Sequence, residues 1–461
     1  MGPFLRSKNS TNKIMLHLII ALLPIIIFTV YKNGYIPYSH GLISFIEMFN
    51  PLLNIFIGAL SSFLIESIYA LILKKKNYIK NSYAFFPGLF LALILPLNTP
   101  IYIIVIGSVI ASISKLIFGG FGKNIFNPAL VGYLFIILVF SSILTTDNYF
   151  NKYELDTISS PTPLTNASMV SGIGSYDELV KPYGNLSNFL IGTIPGSLAE
   201  TSALLCIVAY IYLSITKTIK WRIPLVYVAT VFVITFGIGR LLGQDIYYPL
   251  FHILSGGLMF GAVFMATDPI TSCVTPIGQI LQGVILGIIT VIFRFVGVEG
   301  VAYSILIVNM LVFLLDKIGM VSRFNFLKSI IWFILIWIII IGLTIILAAS
   351  RKTDGDKDPN FDITSKEKNG NQTIYNVSQQ GYGGKIRAEV IIENDRIISL
   401  EITSHHETAN RYQLVLDSDY INQLINNQDN LENLDTVSSA TVTSNALKKL
   451  VINVLEDYKP N

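Results

Sequence analysis

The sequence predicts a multi-span α-helical membrane domain followed by a small α+β domain outside the membrane. Three observations lead there. Of 461 residues, 52% are hydrophobic and only 13% are charged, against about 25% charged in an ordinary soluble domain. The apolar residues gather into runs approaching the roughly 20 residues that a spanning helix needs. From Arg351 onward those runs cease and the chain turns polar. The net charge of +3 is too small to suggest a nucleic-acid partner, so the lipid bilayer is the expected medium.

In chain order the expected spans are 14–31, 52–73, 83–97, 101–117, 128–144, 197–215, 223–239, 249–266, 277–294 and 300–316, followed by 329–349. This makes about ten helices plus one anchoring helix. Arg6, Lys8 and Lys13 precede the first run, but no small-residue cleavage site follows it, so the run reads as an uncleaved helix. Lys and Arg concentrate in "KKKNYIK" (74–80), "TKTIKWR" (216–222), "DKIGMVSRFNFLK" (316–328), the N-terminus and the turn holding Lys115 and Lys123. With this span count they all fall on one face, which the positive-inside rule makes the cytoplasm. The opposite face offers only scattered charges such as Lys32, Lys152, Lys181, Arg240 and Arg294. A multi-pass protein of the cell (plasma) membrane with an extracytoplasmic C-terminal domain is therefore expected.

The expected domains are a transmembrane domain over 1–328, an anchor helix over 329–349, a flexible tether over 350–372 and a folded domain over 373–461. The tether "RKTDGDKDPNFDITSKEKNGNQ" (351–372) is charged and rich in small polar residues. In "KIRAEVIIENDRIISLEITS" (385–404) apolar positions alternate on both sides of Glu-Asn-Asp, the pattern of a hairpin. "SNALKKLVINVLEDYK" (444–459) has helical spacing.

Candidate functional residues begin with Glu66 in "SSFLIESIYALIL" (61–73). A charge at mid-bilayer costs about 2.5–3.5 kcal/mol on insertion scales, so this carboxylate needs a cation, a proton or a hydrogen-bonding neighbour. "FGGFGKNIFNPALVG" (118–132) is a glycine-rich turn entering a helix at Asn127-Pro128, which capping alone explains about as well as function. "GSLAETSALL" (196–205) places Glu200 near a span. "PLFHILSGGLMFGAVFMATDPITS" (249–272) ends on Asp268-Pro269, and "EGVAYSILIVNM" (299–310) adds Glu299 and Asn309. Capping accounts for these three carboxylates nearly as well as ion binding does. His252, alone in an apolar run, reads as a packing residue, as do the isolated Cys206 and Cys273. No cysteine set for an iron–sulfur cluster or covalent haem is present, and neither is a Rossmann fingerprint, a P-loop or a metal-ligand spacing. Finally, "DTISSPTPL" (156–164) is nearly repeated by "DTVSSATVT" (435–443).

The four stretches at 118–132, 196–205, 249–272 and 299–310, in that order, resemble the RnfD/NqrB family of membrane flavoproteins over most of residues 14–316. "GYGGKI" (381–386), "HHETAN" (405–410) and "DTVSSATVTS" (435–444) resemble the FMN-binding domain of the partner subunit, RnfG/NqrC. The chain thus resembles a fusion of two subunits usually encoded separately. The resemblance implies one or two covalent FMN groups held by phosphoester bonds, at Thr162 and Thr441, making the chain a phosphoprotein. Ser438, Ser439 and Ala440 fall in the second motif, and Glu407 and Thr408 match positions expected to contact the flavin. Ser439 replaces a glycine usual in the family, Pro161 precedes the first acceptor, and Ala409-Asn410 replaces a usual Pro-Gly.

The implied function is that of a redox subunit of an Rnf-type ion-translocating oxidoreductase. It would pass electrons through FMN while the assembly moves Na⁺ or H⁺. Expected partners are the other Rnf/Nqr-type subunits and a flavin transferase during maturation. A further non-covalent riboflavin or FMN among the helices is left open. Ion-pathway candidates are Glu66, Glu200, Asp268 and Glu299. Two alternatives stand beside this one: a stand-alone transmembrane flavoprotein serving an extracytoplasmic acceptor, and a non-redox transporter with an external binding module. No catalytic side chain or metal site is expected.

Overall fold

The computed structural model describes residues 10–75, 78–146, 162–169, 174–199, 202–297, 299–323, 339–340, 342–347, 349, 361–370, 372–381, 384–405, 409–428, 431, 437 and 441–458. They form two compact units, one of helices in the residues up to 348 and one made of the residues from 349 onward.

In the helical unit, α1 (Thr11–Val30) starts where the Ser10 hydroxyl accepts the Lys13 N–H at 3.3 Å. It continues through a π-helical turn, Tyr31–Tyr35. Then come α2 (Asn50–Ile72), α3 (Phe86–Ile94), α4 (Ile101–Ile117), α5 (Pro128–Thr146) and the short α6 (Pro163–Met169). The second half has α7 (Ala203–Ile215), α8 (Arg222–Leu241), α9 (Tyr247–Leu254) and α10 (Leu258–Phe260), which runs into a π turn, Gly261–Met265. It ends with α11 (Pro276–Phe295) and α12 (Val301–Arg323).

Among the described residues, five helices are long and apolar enough to cross a bilayer, and α9 with α10 makes a sixth candidate bent by 64°. Several expected spans are therefore not single helices of bilayer length, since Ile101–Ile117, Pro128–Ser141 and Ala203–Ile215 are also shorter apolar helices. The run 83–97 yields only the nine residues of α3, because Leu95 precedes Pro96 and adopts the extended backbone that a following proline favours (ψ 152°). The run 249–266 breaks at Ser255–Gly257, where Gly256 has φ +67°. The run 197–215 becomes helical only at Ala203, after Ser202 caps it by accepting the Leu205 N–H at 3.3 Å. Most of 329–349 lies outside the described residues. Within its described part Ile340 is buried, and a Cβ on Gly237 of α8 would meet the Thr344 side chain at 2.7 Å.

Close backbone contact replaces bulky packing where α2 meets α3. A Cβ on Gly58 would lie 2.5 Å from the Gly88 carbonyl oxygen, and one on Gly88 would overlap the Gly58 carbonyl. Small residues let membrane helices approach in this way. Among α8, α11 and α12, the fully buried Tyr227 hydroxyl meets Thr290 Oγ1 at 2.6 Å and Ser304 Oγ at 3.3 Å, so buried polar groups satisfy one another.

The second unit is a four-stranded antiparallel sheet in the order β1-β2-β3-β4: β1 (Phe361–Asn369), β2 (Gln372–Gln380), β3 (Lys385–Glu393) and β4 (Arg396–His405). The predicted hairpin is β3–β4. Asn394 and Asp395 both have positive φ, 51° and 64°, as a two-residue type I′ turn demands. Helix α13 (Ala409–Asp417) comes next, followed by α14 (Tyr420–Asn426) and α15 (Thr441–Tyr458). Tyr375, Val390, Ile392, Leu447, Leu450 and Val454 form the centre of its core.

The sheet starts earlier than the sequence predicts, since β1 lies within the stretch expected to be tether. β1 is an edge strand with mostly exposed side chains, so it lacks the apolar alternation that marks β3 and β4. It is tied down by Lys366, whose ammonium donates to Asp457 Oδ2 at 2.9 Å and lies 4.8 Å above the Tyr375 ring. The hydrogen bonds to Tyr375 and Asp457 hold the Lys366 pKa above its usual value.

Candidate functional site

Both broken helices are repaired by neighbouring polar groups, as an interrupted helix at membrane depth requires. At the end of α3, the Leu93 carbonyl accepts the Ala199 N–H at 2.8 Å and the Leu95 carbonyl accepts the Leu198 N–H at 3.2 Å. The segment before Glu200 thus fills the gap, while Glu200 itself lies outside the described residues. At the α9–α10 break, the Arg294 guanidinium donates to the carbonyls of His252, Ser255 (3.2 Å) and Glu299 (3.3 Å). The Glu299 carboxylate accepts the Gly257 N–H at the start of α10. One cation therefore serves the carbonyl end of the break and one anion the amide end, each matching the partial charge it meets.

Thr162 caps α6, its Oγ1 accepting the Thr165 N–H at 3.3 Å and meeting Thr165 Oγ1 at 2.7 Å. This short helix packs on the same break. A Cβ on Gly256 would overlap Leu164 and lie 2.9 Å from Glu299 Oε1. The structure thus brings Thr162 and Glu299 to one region, although they stand 137 residues apart in the chain (299 − 162).

A cavity opens between the helices, walled by Tyr83, Phe86, Phe90, Phe121 and Phe264. Its other polar groups are Lys115, Asn124, Asn127, Thr218, Thr267 and Asp268. Asn127 Oδ1 accepts the Ala129 N–H at 3.1 Å, the capping role expected of it, and its amide reaches the Met265 carbonyl at 3.4 Å. With the Asn309 amide turned to donate to the Ile305 carbonyl, its oxygen accepts the Asn127 N–H at 3.0 Å. Asn124 Oδ1 is buried and makes no hydrogen bond. Asp268 accepts from the Thr271 hydroxyl at 3.1 Å.

Glu66 is fully buried on α2 and pairs with Lys115 of α4 at 2.7 Å. Lys115 also donates to the Ser82 carbonyl at 2.6 Å. The sequence counts Lys115 as a charge of a cytoplasmic turn, whereas the fold turns it inward to neutralise Glu66. Lys32 is likewise buried, donating to the Ile194 carbonyl, and so is Arg294. His252 is buried against Tyr248, Phe251 and Phe295 with neither ring nitrogen hydrogen-bonded. Among the described residues, no group of three or more His, Cys, Asp or Glu is arranged to hold a metal ion.

In the second unit, Thr441 is the first residue of α15. Ser438, Ser439, Ala440, Glu407 and Thr408 lie outside the described residues. Flanking groups are placed: the Val437 N–H donates to the buried Ser444 Oγ at 3.2 Å. His405 stacks on Tyr412 with ring centroids 3.7 Å apart, and burial pushes the Tyr412 hydroxyl pKa up.

Residues 1–325 match the model of the NQR2, RnfD, RnfE family. The chain belongs to that family. A second match, to the FMN-binding domain, covers residues 381–456 of this RnfD-type chain. Among similar proteins is a subunit of the proton-translocating ferredoxin:NAD(+) oxidoreductase complex of Clostridium ljungdahlii, 33% identical over 70% of this chain and 95% of that protein. The corresponding subunit of the Na(+)-translocating ferredoxin:NAD(+) oxidoreductase complex of Acetobacterium woodii is 36% identical over 68% of this chain and 91% of its own length. A subunit of the ion-translocating oxidoreductase complex of Erwinia tasmaniensis is 28% identical, over 68% and 94% respectively. The expected fusion of an RnfD-type membrane domain with an FMN-binding domain is thus found in one chain.

Proposed function

We propose that this protein is a redox subunit of an Rnf-type ion-translocating oxidoreductase, working with the other subunits of such a complex and passing electrons through FMN. The observation that carries this reading is the union, in one chain, of an RnfD-type membrane domain and an FMN-binding domain. Covalent FMN resides on Thr162 and Thr441. A flavin transferase joins each threonine Oγ to the phosphorus of the flavin phosphate; the phosphoanhydride bond of a flavin dinucleotide donor breaks, and the leaving nucleoside monophosphate carries away the displaced charge while the hydroxyl proton passes to solvent. The resemblance to the FMN-binding domain supports assigning Ser438, Ser439, Ala440, Glu407 and Thr408 to the same flavin site as Thr441. Both acceptors face the outside of the cell membrane, a placement supported by the basic connections of the opposite face.

The aromatic cavity takes a third, non-covalent flavin, riboflavin or FMN. Its walls suit a flat ring, and the unpartnered Asn124 Oδ1 and the neighbouring Asn127 suit the ring's polar edge. A flavin bound there would accept and release electrons, while Phe86, Phe90 and Phe121 keep water from it. Glu66, Glu200, Asp268 and Glu299 are the proposed carriers of Na⁺ or H⁺. The fusion favours a second reading, in which the chain works alone and delivers electrons to an extracytoplasmic acceptor.

Intact-mass measurement tests the covalent assignment, because each phosphoester-linked FMN adds a fixed increment. In cells that possess the transferase, Thr441→Val should remove one flavin and Thr162→Val a second, with lower starting occupancy at Thr162 beside Pro161. An unchanged flavin content in Thr441→Val would overturn it. Co-purification with other subunits, or its absence, separates the complex from the stand-alone reading.

A further inference from the structure

The surroundings of the Glu66–Lys115 pair are unusual for packed helices. Ser108 Oγ and Ser112 Oγ are buried and make no hydrogen bond, and Glu66 Oε2 is buried with the Tyr78 hydroxyl as its neighbour. Other hydroxyls of the same two helices bond back to their own backbone: Ser61 to the Ile57 carbonyl (2.8 Å), Ser67 to Phe63 (2.7 Å) and Ser114 to Ala111 (2.8 Å). A serine in a helix ordinarily takes that bond when nothing better is offered, yet Ser108 and Ser112 do not. One turn before Glu66, the Ser62 hydroxyl donates to the Ser108 carbonyl at 3.3 Å. That bond sets the register, with Ser62 and Glu66 of α2 opposite Ser108, Ser112 and Lys115 of α4. The result is a buried seam of oxygens whose single positive charge among the described residues is the Lys115 ammonium.

We propose that this seam is a binding site for a monovalent metal cation and that the Lys115 ammonium is its built-in competitor. Carboxylate and hydroxyl oxygens suit a hard ion such as Na⁺. With Lys115 on Glu66 the site is neutral and closed. When Nζ leaves, Glu66 and the serine oxygens take the ion, and the charge beside the carboxylate is unchanged by the exchange. Lys115 has somewhere to go, because it also lines the aromatic cavity, where its ammonium lies 5.6 Å from the Phe121 ring and shares the lining with Asp268. The inference deepens the ion-pathway role proposed for Glu66. It rests on the α2–α4 geometry and stands whether or not the cavity holds a flavin.

Thermal unfolding of the full-length protein in lipid nanodiscs, in NaCl against choline chloride at equal ionic strength, tests it. Lys115→Met removes the competitor and should tighten the apparent affinity for Na⁺ at least about tenfold, equivalent to about 1.4 kcal/mol. Adding Glu66→Gln to that variant should abolish the sodium-specific shift. Equal unfolding of Lys115→Met in both salts overturns the proposal. So does a response of that variant to pH alone, which would assign the seam to protons. Should Lys115→Met fail to fold, the unaltered protein at high NaCl is compared with Ser112→Ala. Loss of its sodium-specific shift in Ser112→Ala supports the site, and an unaltered or absent shift overturns it. Failure of the covalent-flavin assignment would be seen by mass and would leave these results standing.

Discussion

Arg294 donates to three backbone carbonyls, those of His252, Ser255 and Glu299, from one buried guanidinium. A helix break inside a membrane leaves such carbonyls without water, and each unsatisfied buried group costs about 1–3 kcal/mol. Arg294→Met should therefore lower stability by about 3 kcal/mol or more, read as a large drop in the unfolding temperature of the detergent-solubilised protein. An unchanged unfolding temperature would show that the break is satisfied otherwise. Arg294→Lys should recover only part of the loss, because an ammonium lacks the planar fork that reaches separate acceptors. None of this is legible in the sequence. Arg294, Lys32 and Lys115 read there as loop charges, since a charge can be counted without its partner. Their partners are the Glu66 carboxylate and backbone carbonyls of other segments, which follow no periodic pattern. For Glu66 the reverse is true: the cost of a mid-bilayer carboxylate already demands a neighbour, and only the identity of Lys115 is missing.

At the scale of the helix and the strand, continuous apolar runs locate the long helices but conceal the short ones. The run 83–97 is uniformly apolar, so hydropathy alone cannot show that its helix stops at Ile94. The Pro96 signal is present in the sequence but weaker than the hydrophobic one. In the second unit the β3–β4 hairpin is legible because alternation and an Asn-Asp turn coincide. β1 is not, because an exposed edge strand reads like a linker. The α2–α3 contact gives the element-scale prediction. Gly58 and Gly88 bring the two backbones together, and a side chain at either position collides with the opposite carbonyl. Gly88→Val should force the helices apart and abolish a monodisperse peak in size-exclusion chromatography. Gly41, with open space around its Cβ position, is the control: although its φ of +71° makes any substitution mildly strained, Gly41→Asn should elute normally. Equal behaviour of the two variants would argue against the close approach.

For the whole molecule, the decisive feature is that each unit has its own hydrophobic core. One is centred on residues such as Leu22, Leu91, Tyr227 and Phe251, the other on Tyr375, Val390, Leu447 and Leu450. A unit that buries its own apolar residues can fold without the other. Residues 355–461 expressed alone should therefore give a soluble domain that unfolds in one cooperative transition, with β1 included because it pairs with β2 along most of its length. Starting instead at 373 removes β1 together with the Lys366–Asp457 bond, exposes the β2 edge and should lower the denaturation midpoint clearly. Residues 1–328 should insert into the membrane and retain the flavin proposed for Thr162, since α6 and the α9–α10 break lie wholly within them. Circular dichroism during urea titration checks the first pair, and membrane fractionation with intact mass checks the second. If the 1–328 fragment fails to insert, the segment 329–349 belongs to the membrane fold rather than serving as a separable anchor, in keeping with Thr344 lying against Gly237. Loss of flavin from an inserted fragment would carry a different meaning: the transferase would then need the second unit in order to act on the first.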